Sequence, residues 1–332
     1  MGYLLDSGDH NLIVCSPVED YPRTVAELEA RFHSEQACRE YLFPLRWPGG
    51  FRCPRCGSGK AWRVRSGLWQ CAGCGRQTSV TAGTIFQDTH TRLTAWFPAM
   101  WWMTTPKNGV SALGLQRVLG LGSYQTAWAW LHKLRRAMVR PGRDRLAGEV
   151  EVDEAYVGGR EGGKRGRQAG KKALIVVAAQ EAGQGTGGIR MRRIADASAA
   201  NLLPFVQDSI EPGSIVHTDA GVGYESLGWS GYRHGTSPHR KAEKSPSDLL
   251  PRVHRVIALL KQWLLGTHQG AVRFDHLDYY LDEFTFRFNR RRSRSRGKLF
   301  FRLLQQAVAV EPATYASIIR TAPAKPQDIG GT

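Results

Sequence analysis

Apolar residues recur along the chain with two different periods, and the points where the period changes divide it into segments. Residues 1–20 are mixed in character and read as a loose tail. Within 21–50, Val25, Leu28, Phe32, Ala37, Tyr41 and Leu42 fall at near-helical intervals and predict a short helical segment. From Phe51 the text shortens into Gly-broken alternations, which predict hairpins and a small β module over 51–90. Helical spacing returns over 91–141, rich in Trp and interrupted near Gly109 and at Gly120 to Ser123, so this stretch reads as helix, turn, helix. Beyond it, 149–158, 172–180 and 189–195 read as three strands in succession. A helix at 198–210, a strand at 214–219 and long helices near 251–265 and 275–291 follow. That order predicts an α/β unit over 148–304, a sheet with helices on its faces, followed by a C-terminal tail at 305–332.

Charge narrows the class of partner. The 332 residues carry 46 Lys+Arg against 29 Asp+Glu, a net charge of +17, which points to a polyanion. At 42% hydrophobic, wholesale disorder is excluded. No run approaches the roughly 18 apolar residues of a membrane span, and the N-terminus lacks a signal pattern, so a cytoplasmic, nucleoid-associated protein is expected.

Cysteine usage points to metal rather than cross-linking. Cys53 and Cys56 are followed by Cys71 and Cys74 in the pattern C-x2-C-x14-C-x2-C, where 71 − 56 − 1 gives the 14. Four thiolates at this spacing close a tetrahedral zinc site and leave no open position, so the zinc is expected to be structural. Cys15 and Cys38 have no partner spacing and read as a tail thiol and a core thiol. Around the ribbon, Lys60, Arg63, Arg65 and Arg76 alternate with Trp62 and Trp69, a pattern suited to phosphates and bases. Between Ser111 and Met138 the second helix of a helix-turn-helix opens at Ser123 and offers Tyr124, Gln125, Thr126, His132, Lys133, Arg135 and Arg136 as an outward DNA-binding face. Further on, Arg287, Arg290, Arg291, Arg292, Arg294, Arg296, Lys298 and Arg302 place eight cations within residues 284–303, with no acid after the first of them. Such a run suits a DNA backbone.

Carboxylates supply the candidate chemistry. On a strand with period two, Glu149, Glu151 and Asp153 share one face, and Asp219 ends another strand before a Gly-containing turn. Two acids on neighbouring strands can hold Mg or Mn, and two such ions serve phosphoryl transfer.

The ordered series CPRCG, CAGCG, TSVTAGTIF, VDEAYVGG, IVHTDAGVGY, LKQWLLGTHQG and YYLDEFTFRFNRR resembles the bacterial insertion-sequence transposases that join an N-terminal zinc ribbon to a DDE-type domain of the ISXO-two-like kind. The likeness runs from about Tyr21 to Leu304. It implies an RNase H-like mixed sheet, two Mg or Mn ions, cleavage and joining of double-stranded DNA at transposon ends and target, and at least a homodimer on DNA. Carried over, Asp153 matches the first acidic ligand and Asp219 the second. The third, a Glu seven residues before a Lys in relatives with a full triad, falls on His254, with Lys261 as that phosphate-positioning Lys and 34 residues (254 − 219 − 1) between the second and third ligands. Where some members have an Asn two residues before the Lys, this chain has Leu259. Asp282 and Glu283 are rivals for the third place, read instead as partners of nearby arginines. A DNA-binding regulator of transposition without catalysis is the alternative reading. An RNA- or ribosome-associated zinc-ribbon protein would explain the charge and cysteines but not the carboxylates.

Overall fold

The computed structural model describes residues 19–139, 142–158, 172–219, 221–236, 246–270 and 272–320. Cys15 and most of the expected N-terminal tail lie outside the described residues, as do residues 321–332.

Two short helices, α1 (Val25–Arg31) and α2 (Glu35–Arg46), open the described chain. Each begins on a hydroxyl that accepts from an otherwise orphaned amide, Thr24 from Glu27 N and Ser34 from Ala37 N. Three strands, β1 (Ala61–Arg63), β2 (Trp69–Cys71) and β3 (Gln77–Thr78), form a small antiparallel sheet. Helices α3 (Leu93–Thr104), α4 (Ala112–Leu119) and α5 (Tyr124–Ala137) follow. Ser111 caps α4, Gly120 closes it at φ 61°, and Ser123 caps α5, so the predicted helix-turn-helix is present. All of these elements share one core. Trp96 and Trp130 stack in it with ring centroids 4.2 Å apart, joining α3 to α5.

The second unit is built on a five-stranded mixed sheet of β4 (Glu149–Val157), β5 (Ala173–Ala182), β6 (Gly185–Ile194), β7 (Ile215–Thr218) and β8 (Arg233–Thr236). Their order is β6-β5-β4-β7-β8. The hairpin-linked β4, β5 and β6 are antiparallel, whereas β4 with β7 and β7 with β8 are parallel. Strand β8 was not expected, because RHGT is short, polar and on the sheet edge, and gives no periodic signal. Around the sheet lie α6 (Ala199–Ser209), a 3-10 helix (Val222–Ser230), α7 (Pro246–Leu249), α8 (Pro251–His268) and α9 (Leu277–Asn289). The alternation along β4 sends Ala155 and Val157 toward α8 and α9, and Val150 and Val152 toward α6. Each aliphatic side chain buried this way contributes about 1.5–3 kcal/mol. This is an α/β unit with helices on both faces, preceded by the cysteine module.

Residues 305–320 do not behave as the tail expected there. Helix α10 (Arg296–Ala307) continues through the expected boundary, α11 (Tyr315–Arg320) follows, and Val308, Ala313 and Ile318 are buried. Phe300 of α10 packs edge-on to Phe97, so the C-terminal helices close the core begun by the N-terminal ones.

A buried ionic joint ties α5 to α9. The Arg135 guanidinium meets Glu283 at 2.8 Å, both side chains being 1% exposed, and stacks over the Tyr280 ring at 4.0 Å. Arg287 binds the other Glu283 oxygen at 2.8 Å and reaches the carbonyls of Met103, in the last turn of α3, and of Pro106 just past it. Burial opposes the charge on Glu283, but Arg287 and Arg135 prevail and hold its carboxyl below the usual value. Arg135 and His132, expected on an outward DNA face, are therefore corrected: both are buried, at 1% and 0% exposure, because α5 turns that side toward α9. Burial pushes His268 down to about 4, and burial with the Arg135 charge pushes His132 lower still.

Replacing Glu283 with Ala strands two guanidinium groups and is expected to cost about 3–5 kcal/mol. Chemical denaturation would read this as a lower midpoint, and an unchanged midpoint would mean that the joint does not stabilise the fold. The two histidines have folded values below their ordinary 6.5, so their stabilisation is complete above that pH and is lost as pH falls toward 4. Midpoints at pH 7 and pH 5 should differ less for His132→Phe than for the parent, and equal differences would argue against this linkage.

Candidate active site and metal centre

The ribbon holds its four sulfurs on two matching turns. Gly57 N donates to Cys53 O at 2.9 Å, and Gly75 N to Cys71 O at 3.0 Å, with both glycines in the left-handed region at φ 72° and 69°. The Sγ atoms of Cys53, Cys56, Cys71 and Cys74 all lie within 4.8 Å of one another. The Cys53–Cys74 and Cys56–Cys71 separations are 3.6 and 3.5 Å, close to the roughly 3.8 Å that tetrahedral Zn–S bonds of about 2.3 Å require. The cluster therefore fits a structural zinc ion. Cys38, apart from the four, is a buried residue of α2 that fills the core beside α1.

The carboxylate site grows from strand register. Glu149 pairs with Ile215, Val150 with Val216 and Glu151 with His217, an offset of 66 (215 − 149). Extended two residues past the last pair, the same offset relates Asp153 to Asp219 (219 − 153), one residue beyond the end of β7, and neighbouring strands lie about 4.8 Å apart. Both carboxylates line one cavity of about 1050 Å³, together with Glu154, Arg193, Asp196 and Tyr224. Gly221 N donates to Asp219 Oδ1 at 3.0 Å and fixes its orientation. Gly223 lets the 3-10 helix seat itself, since a Cβ there would meet the Ala197 carbonyl at 2.5 Å. That contact brings Tyr224 beneath the cavity, where its hydroxyl donates to Glu154. Burial and the nearby carboxylates of Glu154, Asp153 and Asp219 push the Tyr224 hydroxyl up, so it stays protonated as a donor.

The three acids expected on one face of β4 divide their tasks. Glu149 pairs with His217 at 3.1 Å. Glu151 accepts from Arg252 N at 2.7 Å and Val253 N at 2.9 Å, and binds the Arg252 guanidinium at 3.0 Å. It thereby caps α8, which has no side-chain cap of its own. Only Asp153 of the three reaches the cavity. The capped helix presents His254, whose Nε2 stands 3.5 Å from Asp153 Oδ2. Lys261 is exposed two turns along the same helix, about 10 Å further by rise. Asp153, Asp219 and His254 do not close into one tight group: among the described residues, the cysteine quartet is the one set of three or more ligand atoms within 4.8 Å of one another.

Residues 145–289 match the ISXO2-like transposase domain, and residues 33–77 match the transposase zinc-ribbon domain. The chain carries an ISXO2-like DDE transposase domain behind a transposase zinc ribbon. It is also 26% identical over 278 residues, 77% of this chain and 91% of the relative, to an uncharacterized protein in transposable element ISH50 of Halobacterium salinarum.

The matched transposase domain runs from before β4 to the end of α9 and contains Asp153, Asp219, His254 and Lys261. The helix-turn-helix lies between the two matched regions, and Arg290, Arg291 and Arg292 lie just past the second. Of the basic residues expected to meet DNA, Arg63, Arg65 and Arg76 are exposed on the ribbon beside Trp62, with Arg63 also 3.3 Å from Glu40. Gln125 is exposed at the start of α5, and Lys133 and Arg136 are half-buried. Arg290 and Arg291 stack over Phe286 and Phe288 at 4.0 and 3.9 Å and bond to nearby carbonyls, while Arg292 is exposed. The Glu154–Tyr224 pair and Arg193 went unmarked in the sequence; the only local signal was the Glu of VDE.

The zinc fit gives a direct test. Purified protein should carry zinc in a 1:1 ratio by metal analysis, and Cys71→Ser should lose most of it; a full complement in that variant would refute the site.

Proposed function

We propose that the protein is the transposase of an insertion sequence, which binds the element's ends and cuts and rejoins DNA at the carboxylate cavity. The observation that supports this reading is that Asp153 of β4 and Asp219, just past β7, line the same cavity, with His254 3.5 Å from Asp153. Their oxygens and imidazole suit a hard divalent ion, with His giving up one negative charge relative to Glu. Bound there, Mg or Mn, as one or two ions, would polarise a phosphoryl oxygen and activate water or a 3′-OH. In this reading Asp153 and Asp219 hold the metal and His254 completes the set. Lys261 and Arg193 position backbone phosphate, and Glu151 keeps His254 in place by fixing α8. The ribbon and the 91–141 helices recognise the ends, and 148–304 performs the chemistry. Holding two ends together calls for two or more subunits.

A second reading, a regulator that binds the ends without cutting, is favoured by the open spacing of the three ligands and by Leu259.

Asp153→Asn should lower Mg-dependent cleavage of an end-bearing duplex by more than about 100-fold, beyond the usual cost of losing an outer partner of a metal. Duplex binding should be retained. Cleavage at the parental rate in that variant would sink the catalytic assignment, and a parent that binds but never cuts would leave the regulator.

A further inference from the structure

A second cavity, of about 580 Å³, opens where α9 gives way to α10, and it shares no lining residue with the carboxylate cavity. Arg290, Arg292, Arg294, Lys298 and Arg302 line it. Five cations facing one space repel each other, and only an anion relieves that repulsion. Two of them meet a carboxylate: Glu19 lies 2.8 Å from Lys298 Nζ and also pairs with Arg302. Glu19 is not placed by chance. Asp20 is held by Arg31 at 2.9 Å, Tyr21 packs on Phe301, and the Pro22 carbonyl presses against Gly297, where no side chain would fit. The strap of residues 19–22 thus holds one carboxylate at the rim of a site whose cations outnumber it. The Glu19–Lys298 pair is itself partly exposed, at 35% and 40%, and exposed pairs are weak. A phosphate can therefore take its place.

Helix α9 fixes the distance to the chemistry. Near its start Asp278 holds Arg193 of the carboxylate cavity at 3.3 Å, and at its end Asn289 lines the basic one. Its 13 residues span about 20 Å, within the reach of one short duplex.

We propose that this basic pocket is a phosphodiester site for duplex DNA, distinct from the catalytic cavity, and that Glu19 is its internal competitor. The proposal rests on the transposase reading for its ligand, but it concerns binding alone. The test is fluorescence anisotropy of the full, zinc-loaded chain with a labelled end-bearing duplex over a salt series, without added Mg or Mn. Glu19→Gln should tighten binding two- to five-fold. The exposed pair Arg292→Ala with Arg294→Ala should weaken it at least ten-fold and flatten the slope of log K against log salt by up to about 2. Thermal melting would check that this double variant is folded. No change in affinity or slope for the double variant would overturn the site, and unchanged binding by Glu19→Gln would overturn the competitor. Because no Mg or Mn is added, loss of cleavage in Asp153→Asn leaves these outcomes untouched, so either reading can fail alone.

Discussion

The arrangement of the molecule hangs on the buried joint of Arg135, Glu283 and Arg287. One carboxylate on α9 satisfies a guanidinium from α5 and a second that reaches back to the end of α3. Charges so fully removed from water are costly to bury and tolerable only when each is matched, so the joint demands one geometry between the helix-turn-helix and the transposase domain. Gly109 belongs to the same constraint, because a Cβ there would collide with the Arg287 guanidinium. Beside it, Trp263 and Thr267 of α8 both donate to the Asn108 carbonyl. The region between the two matched family domains is thus bolted to the helix that carries His254.

Within the transposase domain, a single strand organises the site. Along β4, Glu149 pairs with His217 of β7, Glu151 caps α8, and Asp153 enters the cavity. Glu151 does from a neighbouring strand the work that capping residues usually do from the start of their own helix. Its position explains why a helix that opens on Leu250 and Pro251 begins where it does.

Much of this was legible along the chain. The strands β4 to β6 and helices α8 and α9 announce themselves by period, and the sequence text singled out Asp153, Asp219 and His254, of which the first two line one cavity and the third stands 3.5 Å from Asp153. The roles of Glu151 and Arg135 were not legible, for the same reason. Arg135 sits among Lys133 and Arg136 on a helix that reads as basic, and its partner is 148 residues away. Glu151 sits among acids, and the amides it serves are about a hundred positions on. Side-chain type states what a residue can do; the partner that decides what it does is set by packing. Strand β8 escaped because edge strands that avoid sticking to other sheets are short and polar.

The dual use of β4 links the assembly of the cavity to the assembly of the helix beside it. A slip of one residue in strand pairing turns every side chain to the opposite face. On β4 such a slip would at once withdraw Asp153 from Asp219, remove the cap from α8 and so release His254, and place Val152 or Glu154 against the wrong layer. A chain that is partly or wrongly folded therefore lacks both the paired acids of the cavity and the anchored start of α8. The strand acts as an interlock that makes the two features form together or not at all.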